Sequence, residues 1–178
     1  MLRCKLSRRF AAPGLAALLL AGCVAKTPPV AATADVDVYQ GLARPGARLD
    51  LAAAQALISS YRAQNGRPAV SIDPKLNAIA EAQARAMASA DRLGHALPGQ
   101  GDFTERLRAG GLHTAVAAEN VGAGHHTLAE AFGSWRGSRS HDANMLLEGA
   151  TRMGIAIAHA PRSKYKVYWA LVLAAPDT

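Results

Sequence analysis

The chain has 178 residues, half of them apolar, with 20 Lys and Arg against 13 Asp and Glu and a formal charge of +7. That length fits one ordinary domain plus a tail, and the apolar share suffices for a core. Four basic residues and no acidic ones lie in the first 22 positions, so the rest of the chain carries only +3; without a basic run interleaved with aromatics, the charge excludes a nucleic-acid binder as the first reading.

Arg3, Lys5, Arg8 and Arg9 precede the apolar run F-A-A-P-G-L-A-A-L-L-L-A, the layout of a secretory signal over residues 1–22. The run is too short to span a bilayer comfortably. It ends Leu20-Ala21-Gly22-Cys23, which resembles the lipobox of bacterial lipoproteins. The resemblance implies an exported protein acylated on Cys23 and held to the membrane by its N-terminal lipid, each buried methylene contributing about 0.8 kcal/mol. Val24 after the cysteine favours the outer membrane in a cell that has one; the alternative is a secreted protein cleaved elsewhere. Cys4 leaves with the signal, so the mature domain keeps no thiol for a disulfide or a thiolate–metal bond, and packing must stabilise it.

Residues 23–49, rich in Ala, Pro, Thr and Gly, read as the acylated N-terminus and a flexible tether, and residues 50–178 as the domain. Asp50 is an N-cap for a helix through Leu51, Ala54, Leu57, Ile58 and Tyr61 that stops at Asn65-Gly66. Residues 69–72 are a strand or an extended linker. Asp73-Pro74 opens a second helix to about Leu93, with Leu76, Ile79, Ala80, Gln83 and Met87 on its buried stripe. Asp102 with Glu105 predicts a capping box for a short helix ending at Gly110-Gly111. Thr127 with Glu130 predicts another, before Leu128, Ala131, Phe132 and Trp135. The period then changes to two: Met153, Ile155 and Ile157 alternate with Gly154, Ala156 and Ala158. After a turn at residues 161–164, Val167, Trp169, Leu171 and Leu173 form the second strand of an antiparallel hairpin. Its small-residue face would let a helix sit close, and helices on both sides of a small sheet explain why neither face is polar.

Of six histidines, His95 follows a helix end and His141 lies in S-R-S-H-D-A-N-M-L, while Glu119 lies in A-A-E-N-V-G-A-G. Two imidazoles and a carboxylate can hold Zn²⁺ with water in the fourth position, although no local zinc motif brings these three together. His125-His126 at a helix N-terminus read as neutral loop residues, since a cation is disfavoured there. His113 and His159 read as surface or strand-end residues. Trp135, Tyr168 and Trp169 read as core, against the alternative of a lipid or sugar platform. Ser138 and Ser140 stand close to His141, but neighbours on a turn do not make a nucleophile and base, and no G-x-S-x-G elbow exists.

The series Y-R-A-Q-N-G-R-P-A-V-S-I-D-P-K-L, G-H, F-T-E-R-L-R-A-G-G, A-E-N-V-G-A-G, W-R-G-S-R-S-H-D-A-N-M-L-L and M-G-I-A-I-A resembles, in this order, the CAP superfamily of cysteine-rich secretory, antigen 5 and pathogenesis-related proteins in its bacterial SCP-like form. The match runs from about Asp50 to Ala175. It implies an α+β fold, a three-layer α-β-α sandwich with a small, mostly antiparallel sheet between helices. It also implies a cleft where His95, Glu119 and His141 cluster as ligands for a divalent metal. The second glutamate and the disulfides of many eukaryotic members are missing, and S-R-S-H stands where bacterial relatives usually read S-P-G-H. Asn120 and Asn144 fit buried amides that tie down the segments presenting Glu119 and His141. Three functions follow: a non-enzymatic envelope module binding a divalent cation and a lipid-like or envelope ligand; a metal-dependent hydrolase with Glu119 as general base; or a structural envelope protein. A single carboxylate does not readily serve as both ligand and base, which favours binding.

Overall fold

The computed structural model describes residues 37–177; the signal at 1–22, Cys23 and the tether as far as residue 36 lie outside the described residues. In chain order the elements are α1 (Leu51–Gln64), β1 (Ser71–Ile72), α2 (Pro74–Ala90), α3 (Phe103–Ala109), β2 (Ala117–Ala123), α4 (Leu128–Arg136), α5 (Arg139–Met145), β3 (Arg152–Ala160) and β4 (Lys166–Ala174). The helix starts are chemically specified. Asp50 and Asp73 each accept two backbone N–H groups of the first turn, and Asp102 and Glu105 form a reciprocal capping box; each such cap contributes about 1 kcal/mol. Thr127 accepts the Glu130 N–H, but Glu130 reaches back one residue further than expected, to the His126 N–H.

The second helix stops at Ala90, short of Leu93, for a tertiary reason. Asp91 adopts a left-handed conformation (φ 46°), and its carboxylate accepts the Tyr168 hydroxyl at 2.6 Å. Two elements carry no periodic signal and were not expected. Strand β2, A-A-E-N-V-G-A, does not alternate, and α5 is a seven-residue helix with only Met145 buried.

The sheet order is β1-β3-β4-β2, with β1 parallel to β3 and the other pairs antiparallel. Side chains alternate across β3 and β4, so each face has its own core. Ile58 of α1, Trp135 of α4 and Met145 of α5 pack on Met153, Ile155, Trp169 and Leu171. On the other face Leu76, Ile79 and Met87 of α2 and Leu107 of α3 pack on Ala156, Ala158, Tyr168, Ala170 and Val172. Burying each large apolar side chain contributes about 1.5–3 kcal/mol. The result is the three-layer α-β-α sandwich of an α+β fold. Gly154 sets the approach of α2 to β3, because a Cβ there would overlap the backbone of Leu76 and Asn77.

Residues 37–49 depart from the tether reading. Leu42 is buried, its N–H donates to the His126 carbonyl, and its own carbonyl meets the His159 imidazole at 2.8 Å. Val38, Ala47 and Leu49 pack against the core. Sparse apolar residues suffice here because each finds a preformed surface. Trp135, Tyr168 and Trp169 are buried, as expected of core, and the two indoles meet edge to face.

Candidate functional site

The site is assembled around the edge strand β2. Glu119 and Asn120 are neighbours on an extended chain, so their side chains leave opposite faces of the sheet. Glu119 meets residues preceding and within α3; Asn120 meets α5.

On the first side, Arg106 donates from both terminal nitrogens to Glu119, at 2.8 Å to Oε2 and 3.0 Å to Oε1. Both side chains are buried, with 8% and 2% of their surface exposed, and two parallel charge-assisted bonds are the strongest form of such a pair. His95 Nδ1 lies 2.9 Å from Glu119 Oε1. A carboxylate only accepts, so Nδ1 carries a proton, and in the neutral ring the lone pair is on Nε2. The loop that carries His95 is itself fixed: Gln83 of α2 donates to the Gly94 carbonyl, and Arg106 donates to the His95 carbonyl. The ring remains about half exposed.

On the second side, Asn120 Nδ2 donates to the His141 carbonyl at 2.9 Å, while Asn144 Nδ2 donates to the Glu119 carbonyl and to Asn120 Oδ1. Tyr61 of α1 donates to Asp142, and Arg62 donates to the Met145 carbonyl. These bonds fix α5 at both ends of its single buried face. His141 lies in the first turn of α5, and Glu119 within β2.

The structure joins His95 to Glu119 directly. It brings His141 within electrostatic range of His95, but the His141 imidazole makes no hydrogen bond to Glu119. Burial, and then the charge of His95, hold the His141 imidazole below its ordinary range. Neutral His141 thus adds stability above the unfolded imidazole pKa, and that stability is lost as pH falls through the lowered folded value. In an NMR titration, His95→Ala is expected to raise the His141 midpoint towards the ordinary value while leaving the burial contribution; an unmoved midpoint would show that the two rings are not coupled.

The remaining candidates stay apart from this cluster. Ser138 and Ser140 meet each other at 3.3 Å, and neither bonds His141, so no serine triad forms. Burial keeps His125 towards the neutral form, opposed by Glu130, and its carbonyl accepts the Trp169 N–H. Among the described residues, no group of three or more His, Cys, Asp or Glu side chains converges as a metal-ligand set.

The motifs of the sequence do not point to Arg106. The available signal was its position: with Phe103, Leu107 and Gly110 it falls at i, i+3, i+4 and i+7, on the stripe that a short helix buries. A charge on that stripe demands a buried counter-charge, and Glu119 supplies it.

A family model described as the cysteine-rich secretory protein family, CAP, matches residues 55–173. No curated protein sequence matches the chain. Among solved structures, an extracellular protein containing a SCP domain from Bacillus anthracis is similar with a TM-score of 0.60 and 22% identity, over 68% of this chain and 39% of that one. An outer surface protein from Borrelia burgdorferi is similar with a TM-score of 0.62 and 15% identity, over 74% and 99%. A cysteine-rich secretory protein from Staphylococcus aureus has a TM-score of 0.57 and 18% identity, over 70% and 37%. The chain thus spans well under half the length of the Bacillus and Staphylococcus proteins, and at these identities the shared property is the fold.

Proposed function

This chain belongs to the cysteine-rich secretory protein (CAP) family, and from that premise we propose that it is an exported, lipid-anchored binding module of the cell envelope, whose cleft takes a divalent cation such as Zn²⁺ on His95 and His141. The observation that carries the reading is the chain Arg106–Glu119–His95. A histidine that ligates a metal through one nitrogen commonly donates the other to a carboxylate, which fixes tautomer and ring orientation. Glu119 does this for His95 and leaves Nε2 for a cation.

That geometry changes the part assigned to Glu119. Of roughly four lone-pair positions on a carboxylate, three are taken by Arg106 and His95. A cation on Glu119 would also sit against a guanidinium. Glu119 is therefore proposed as the group that orients His95, outside the ligand set, and the same crowding leaves it poorly placed to take a proton from water as a hydrolase requires. The two imidazoles fit a borderline cation, whose other positions fall to water or to the bound ligand. An apolar groove of about 530 Å³ between α2 and α3, walled by Ala78, Ile79, Ala82 and Ala109, reaches Arg106 and gives room for the apolar part of an envelope amphiphile.

Export is supported by the signal layout of residues 1–22, anchoring by the resemblance around Cys23, and an envelope setting by the outer surface and extracellular proteins that share the fold. Calorimetric titration with Zn²⁺ is expected to give one-to-one binding that His95→Ala/His141→Ala abolishes and Glu119→Gln weakens about 10–100-fold. Metal-dependent hydrolysis of a peptide, ester or cell-wall bond, lost in Glu119→Gln, would overturn the reading.

A further inference from the structure

A second surface, remote in the sheet from β2, is the opposite edge. Strand β1 covers β3 only at Arg152 and Met153. The carbonyls of Thr151 and Met153 face β1, where Ser71 and Asp73 donate to them, and the next outward N–H, that of Ile155, is taken by Asn77 Oδ1. Outward and inward groups alternate along a ladder, so the N–H and C=O groups of Ile157 and His159 face away from β4. Among the described residues they have no hydrogen-bond partner.

A cleft of about 660 Å³ lies along this stretch. Its wall includes four consecutive strand residues, Ile157, Ala158, His159 and Ala160, so it follows the backbone edge and not a side-chain face. Arg85 and Arg162 also line it, and Lys164 and Lys166 are exposed on the adjoining hairpin. Asp91, which accepts the Tyr168 hydroxyl, also lines the cleft as a carboxylate, and Glu81 pairs with Arg85, so two acids stand against the four basic side chains and the rim keeps a positive excess carried mainly by Arg162, Lys164 and Lys166.

We propose that this edge docks an extended acidic peptide of a partner protein, which adds a strand to the sheet beside residues 157–159. Main-chain bonds to Ile157 and His159 supply affinity, as in strand addition generally, and the arginines and lysines select carboxylates on the incoming strand. Basic side chains on an edge also deter pairing with neutral strands, so the same residues work for one class of partner and against others. The proposal is independent of the imidazole site.

The test is amide exchange, followed by NMR on the full chain in detergent, with an acetylated and amidated E-V-D-V-E-V peptide as probe. Exchange at Ile157 and His159 is expected to slow at least about tenfold at saturation, while Ala156 and Ala158, already bonded within the sheet, do not change. Arg85→Glu/Arg162→Glu, at exposed positions, is expected to weaken binding about tenfold or more. Unchanged exchange at Ile157 and His159, equal binding of a K-V-K-V-K-V peptide, or equal binding of the acidic peptide with alternate amides N-methylated would each overturn the proposal.

Discussion

Replacing Arg106 by methionine is expected to destabilise the fold by about 3–5 kcal/mol, the cost of a buried carboxylate that has lost its partner. Glu119 cannot turn to water: it sits on a strand hydrogen-bonded along β4, with 2% of its side chain exposed. His95 offers one remaining donor but lies half in solvent. The double variant Arg106→Met/Glu119→Gln removes both charges and is expected to recover a large part of the loss, so the two changes are far from additive in urea unfolding. A loss under about 1 kcal/mol for Arg106→Met, comparable to that of an exposed pair, would show that the guanidinium does not hold Glu119 in solution.

Arg62→Met is the second large effect, again about 3–5 kcal/mol, but for a different reason. Arg62 is fully buried and donates to four carbonyls: Pro68 through Nε, Met145 and Leu147 through one terminal nitrogen, and Ala150 through the other. Methionine matches the apolar stem and leaves no unpaired charge, yet it strands four acceptors. Three of them lie between the end of α5 and the start of β3, so this segment should lose amide protection first. Arg62→Lys is expected to recover only a fraction, because one ammonium cannot span the fork that a guanidinium presents. Equal stability of the lysine variant and the native protein would contradict this account.

The parts of the fold legible in the sequence were those with local chemistry. Asp50, Asp73, Asp102 and Thr127 announce helix starts, and the alternation around Ile155 and Trp169 announces the hairpin. Strand β2 was not legible, because it is half alanine and glycine in character and owes its conformation to the β4 backbone. Helix α5 was not legible either: it is too short to show a period, and tertiary bonds from Tyr61, Arg62 and Asn120 hold it.

The candidate site divides the same way. Asn120 and Asn144 suggested themselves as amides that hold backbone, and they donate to the His141 and Glu119 carbonyls. What the sequence could not show was that Glu119 is already occupied. Arg62 and Arg106 each fall on an apolar helical stripe, with Ala54 and Ile58 in one case and Phe103 and Leu107 in the other. A cation on such a stripe is the sign of a buried acceptor, although it does not say which group accepts.

In the proposed module, Glu119 fixes the His95 proton on Nδ1 and leaves Nε2 for a cation shared with His141. Long-range ¹H–¹⁵N correlation of the imidazole nitrogens, before and after one equivalent of Zn²⁺, tests it most directly. Neutral His95 is expected as the Nδ1–H tautomer, with zinc shifting His95 Nε2 and one His141 nitrogen and leaving His95 Nδ1 protonated. An Nε2–H tautomer for His95, or zinc that leaves both rings unshifted, would contradict it.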